Sequence, residues 1–108
     1  DEYNELGHEK CSKMILDRLG DNPIYVTFDL DCLDPTVAPG VANIESAFRG
    51  FNMDEARKLL QSLKGRNVIG GDVACLMPTK DSPNNITSMV AAAVMFEIIC
   101  LISINLKK

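Results

Sequence analysis

Residues 24–35 read Ile24-Tyr25-Val26-Thr27-Phe28-Asp29-Leu30-Asp31-Cys32-Leu33-Asp34-Pro35. The stretch opens as an apolar, β-branched run, the pattern of a buried strand in a parallel sheet. It closes in three acids. Asp29 and Asp31 are two apart, so in extended chain their carboxylates point to the same side. Two carboxylates held together at the end of a buried strand repel. A bound cation, a shared proton or basic partners relieve that repulsion. Asp34-Pro35 then turns the chain, because proline fixes φ and disfavours helix at the residue before it. In open α/β sheets ligands sit beyond the carboxyl ends of the strands, where these acids fall.

Outward from this stretch the chain alternates. Leu6, Cys11, Met14, Ile15 and Leu19 recur at helical spacing and predict one helix from Asn4 to Leu19, ended by Gly20. A loop without clear periodicity runs from Pro35 to Phe51. Loops of this length inside compact domains are commonly functional. Asn52 and Glu55 form a capping box for a helix whose apolar face is Met53, Ala56, Leu59, Leu60 and Leu63. Asn67 to Val73 predicts a second strand with Asp72 near its carboxyl end. Ala74 to Asn85 is a loop, and a nearly all-apolar helix follows from Ile86 to about Ile104. Helix, strand, helix, strand, helix is the order of a parallel α/β sheet. Two strands leave two open edges and a small core, so the 108 residues are expected to be part of a larger α/β domain or to assemble with further copies.

Composition narrows the function. A net charge of −4 supplies no basic stripe for phosphates, so no nucleic-acid partner is expected. Cys11, Cys32, Cys75 and Cys100 are widely spaced, with no Cys-x-x-Cys pair, and read as reduced, mostly buried thiols of a cytoplasmic protein. The first residues are acidic and polar, unlike a signal peptide. Val90 to Ile104 is interrupted by Glu97 and is shorter than the ~20 residues of a membrane span, so no membrane role is expected. The lack of a methionine at position 1 suggests a processed or truncated chain.

Several acidic motifs can be set aside. An EF-hand needs an oxygen ligand, a glycine and a glutamate at its fifth, sixth and twelfth positions. Counted from Asp29, these are Leu33, Asp34 and Gly40. A phosphotransferase of the haloacid dehalogenase type places a further acid four residues after its Gly-Asp, and here that residue is Leu76. A purely structural acid cluster remains open.

Thr27 to Pro35, followed by Ala38-Pro39-Gly40, resembles the signature of the ureohydrolase family, which includes arginase, agmatinase and guanidinobutyrase. The similarity continues through Gly70-Gly71-Asp72-Val73 and into Asn85 to Ala92, and so covers most of the chain. The resemblance implies a three-layer α/β/α arginase-like fold with a parallel sheet. Residues 1–108 would be the C-terminal portion of a single ureohydrolase domain. It implies two Mn²⁺ ions per site (Ni²⁺ is the rival), a small guanidino or amidine substrate hydrolysed by metal-activated water, and a homo-oligomer, trimer or hexamer. Asp29 and Asp31 match the family's metal ligands, and hard oxygen donors suit Mn²⁺. Asp34 would shape the turn and support those ligands, with Asp72 in a supporting role beside them. Asn43 and Glu45, with Arg49, are the polar substrate candidates of the long loop. Cys75 stands where the family places a glutamate that holds the guanidinium, and Met77 where it places an asparagine. The family's histidine-containing ligands lie upstream of the matched part, and this chain has one histidine, His8. The alternative reading is a non-catalytic fragment or pseudoenzyme with a role in assembly.

Overall fold

A computed structural model describes residues 2–41 and 50–108. The elements are α1 (Glu2–Leu6), α2 (His8–Leu19), β1 (Ile24–Asp29), α3 (Met53–Gln61), β2 (Val68–Ala74) and α4 (Ile86–Leu106). β1 and β2 pair in parallel, with Thr27 opposite Asp72 and Asp29 opposite Ala74. The predicted alternation holds, because each element carries its own local signal. Asn52 and Glu55 cap α3 reciprocally.

The first helix differs from expectation. It breaks at Gly7, whose φ of 84° lies outside the helical range. Met14 and Ile15, expected on the buried face, are exposed at 52% and 43%; Leu19 packs inward as expected, and Leu16 joins it. α4 is also longer than the apolar run suggests. Its 21 residues are enough, by length and composition, to cross a membrane. In this fold one stripe of it, Val90, Val94, Ile98 and Leu101, is core.

The helices cover one face of the sheet. Val26 and Phe28 of β1 pack with Leu30, Leu60, Val94 and Ile98. α4 lies so close to β2 that a methyl group on Gly71 would stand 2.6 Å from Ile98 Cγ2 and 2.8 Å from the Val26 carbonyl oxygen, which explains a glycine inside a strand. The opposite face, with Tyr25, Thr27 and Asp29, is exposed.

The start of α4 is held by a residue with no obvious helical signature. Asn85, next to the helix, is in the left-handed conformation and makes no side-chain cap. Asp81 takes its place. Its carboxylate accepts from the backbone N–H groups of Ser82, Thr87 and Ser88 and from the Ser88 hydroxyl, at 2.8–3.0 Å. Partial burial opposes its charge, but these donors win and hold the carboxyl well below its usual 3.8. A carboxylate whose pKa falls on folding stabilises fully above its unfolded value and loses that contribution as pH drops through the folded value. Asp81→Asn is therefore expected to lower the denaturation midpoint at neutral pH. The difference from wild type should shrink as pH falls below about 3.8. Denaturant titrations at several pH values check this, and a gap that stays constant with pH would refute it.

Candidate metal centre

The site forms where the two strands end. β1 stops at Asp29, and residues 30–32 make one 3₁₀ turn rather than continuing in extended form. The Asp29 carboxylate caps this turn by accepting from the Asp31 N–H at 2.9 Å. Asp31 therefore reaches the site from a turn and not by strand alternation, which corrects the extended-chain expectation. A short aspartate bonding the backbone two residues on is the local reason. The two carboxylates still converge.

Cys75 joins them from the other strand. The expectation of mostly buried cysteines is corrected here: Cys75 is exposed and the other three are half-buried. Cys75 follows Ala74, the register partner of Asp29, and its φ of 74° turns the chain sharply there. Ligand atoms of Asp29, Asp31 and Cys75 all lie within 4.8 Å of one another. A hydrogen bond to the Asp29 carboxylate is the main reason the Cys75 thiol is pushed above its usual pKa, with burial and the charges of Asp29 and Asp31 adding to it. Cys32, one residue beyond Asp31, is a different case. It packs against the core, and burial together with Asp29 pushes its thiol up to about 11.

Asp34 lies at the neck of the long loop. It accepts from the Thr36 hydroxyl (2.7 Å) and N–H (3.0 Å), which hold its carboxyl below the usual range. Its own N–H donates to Phe51 O, and Phe51 N–H donates to Cys32 O. The far end of the neck, Gly50, is pressed against this turn. A Cβ there would stand 2.5 Å from Asp34 N and 2.6 Å from the Leu33 carbonyl carbon. These are backbone atoms that cannot swing aside, so Gly50→Ala is expected to cost about 1–3 kcal/mol, the usual cost of overpacking. Denaturant unfolding measures it, and a variant as stable as wild type would show that the neck opens freely.

The other end of the loop is anchored beside Cys75. Val41 bridges Leu76, Met77 N–H donates to Gly40 O at 2.8 Å, and Gly40 N–H donates to the buried Thr87 hydroxyl at 2.8 Å. The described part of the loop thus runs from the turn that carries Asp31 past Cys75, and Gly50 lies back against that turn. Asn43, Glu45 and Arg49 lie outside the described residues.

Asp72 stands two residues before the strand end. Its carboxylate accepts from Tyr25 Oη (2.9 Å) and Thr27 Oγ1 (2.8 Å), so it ties the exposed face of the sheet together below the cluster. The Tyr25 phenol is pushed up in pKa by that bond. Sequence reasoning identified Asp29, Asp31 and Cys75 separately. It missed Asp81, which caps its helix from too far upstream to show as a cap, and Gly50, although a glycine closing a loop is a visible signal.

Comparison with known proteins places this arrangement in a family. Residues 1–101 match the model of the Arginase family. An agmatinase of Photorhabdus laumondii is 36% identical over 101 residues, covering 94% of this chain and 32% of the relative. Proclavaminate amidino hydrolase from Streptomyces clavuligerus superposes with a TM-score of 0.89 at 30% identity, over 97% of this chain and 35% of that one. The crystal structure of a hypothetical agmatinase from Burkholderia thailandensis gives 0.82 at 35%, over 92% of this chain and 30% of that one. The chain spans about a third of the length of these relatives.

Proposed function

This chain belongs to the arginase family, and on that premise we propose that it forms the C-terminal part of a binuclear metal-dependent hydrolase of a guanidino or amidine C–N bond. The observation that carries the reading is the convergence of Asp29 and Asp31 at the carboxyl end of paired parallel strands, inside the region matched to the family.

The donor set fits a divalent cation. Two carboxylates offer hard oxygen ligands suited to Mn²⁺, with Ni²⁺ as the rival. Such ions take about six donors, so these two carboxylates make up part of the shell, and other groups and water complete it. When bound, the ions lower the pKa of water and polarise the substrate. The remaining work falls to the chain. Asp29 and Asp31 hold the ions. Asp34 fixes the neck of the loop whose sequence holds the polar substrate candidates Asn43 and Glu45. Asp72 stiffens the strand ends through Tyr25 and Thr27.

A cytoplasmic location and a trimeric or hexameric assembly belong to the same proposal. Met89, Phe96 and Ile99 of α4 are 53–67% exposed apolar side chains, surface that either the rest of a longer chain or a neighbouring copy would cover.

Cys75 at the family's glutamate position favours a second reading, a family member that has lost the reaction and keeps the fold for assembly. The complete gene product, loaded with Mn²⁺ or Ni²⁺ and offered arginine, agmatine, guanidinobutyrate and guanidine, separates the two. Release of urea or ammonia from any of them supports hydrolysis. No release from the whole panel, with metal bound, supports the second reading.

A further inference from the structure

Building on the metal-hydrolase reading, we propose that the sulfur of Cys75 is itself a metal ligand, so that one position of the centre takes a thiophilic divalent ion such as Zn²⁺, Co²⁺ or Ni²⁺ in preference to Mn²⁺. The geometry permits it. Metal–sulfur bonds of about 2.3 Å and metal–oxygen bonds of about 2.0–2.2 Å keep two ligand atoms of one ion within about 4.5 Å of each other. The Cys75 sulfur and the carboxylate oxygens of Asp29 and Asp31 lie within 4.8 Å of one another, so small side-chain rotations bring all three onto one ion. The sulfur and the acids come from the ends of two different strands that are directly paired, Asp29 with Ala74, so the sheet holds them together. Family membership points independently to a metal here, since the match spans residues 1–101 and so includes all three residues.

Donor chemistry decides which ion. Mn²⁺ stands lowest in the order of affinity for nitrogen, oxygen and sulfur sites, and a thiolate raises the preference for Zn²⁺ and its neighbours further. On binding, the thiol that now bonds to Asp29 gives its proton to solvent, and the sulfur lone pair goes to the metal. Cys32 also lies beside these acids, but its place against the core sets it apart.

The test uses the complete gene product loaded with Co²⁺. Wild type should show a thiolate-to-cobalt charge-transfer band in the near ultraviolet. Cys75→Ser should lose the band yet still bind Co²⁺, with affinity lower by about tenfold or more and Mn²⁺ affinity little changed. Bound Zn²⁺ should also protect Cys75 from alkylation in the wild type, which needs no variant. Co²⁺ bound without the band, or a band that survives Cys75→Ser and disappears in Cys32→Ser, overturns the inference. If Co²⁺ binding is also untouched by Asp31→Ala, the underlying metal assignment fails as well.

Discussion

Asp31→Ala in the complete gene product is expected to lose bound metal and hydrolytic activity while keeping the fold. The side chain stands in the middle of a 3₁₀ turn whose cap is made by Asp29 and the Asp31 backbone N–H. Alanine keeps that N–H, so the turn survives. The core around it also survives, because Leu30 and Leu33, the neighbours that pack into it, are unchanged. What goes is a charged donor aimed at the cluster. Removal of a residue that merely supports a ligand costs roughly 10–100-fold in affinity or activity, and removal of the ligand should exceed that. Metal content by mass spectrometry, far-ultraviolet dichroism and turnover are read together. Full metal occupancy with a native spectrum would remove Asp31 from the site.

Cys75→Glu is expected to improve use of arginine or agmatine by roughly ten- to a hundredfold, the gain from a charge-assisted bond to a guanidinium that a thiol cannot make. The Cys75 side chain is exposed, so a longer one can be placed there. The same change replaces a soft donor with a hard one, so the variant's metal preference should move toward Mn²⁺. Activity is therefore compared with each metal at saturation, as kcat/KM over the substrate panel. Ordinary turnover of arginine by wild type, unimproved in the variant, would show that the wild-type cysteine does not limit the choice of substrate.

These expectations rest on features that differ in how openly the sequence displays them. Both strands and the capping box of α3 are written locally, in β-branched runs and in Asn52 and Glu55, and the structure keeps them. The acidic motif was legible as a site because two carboxylates held together at a strand end repel unless a cation, a shared proton or a basic partner relieves them. The turn that delivers Asp31 was not, because Asp29 spends its side chain capping the next residues, and alternation along a strand cannot show that. The meeting of Cys75 with Asp29 depends on strand register across a crossover, which no local pattern encodes. Asp81 was hidden for a similar reason: it caps α4 from five residues before the helix, out of the residue that ends the preceding 3₁₀ turn. The exposure of Met14 and Ile15 shows the limit of periodicity, which finds an apolar stripe but not whether this chain contains what covers it.

Anomalous diffraction from crystals of the metal-loaded complete gene product, at the absorption edge of the added ion, tests the central assignment most directly. The account predicts density within coordination distance of the carboxylates of both Asp29 and Asp31, at the carboxyl ends of β1 and β2. Ions found elsewhere, or the two carboxylates facing solvent with no metal between them at saturating concentration, would contradict it.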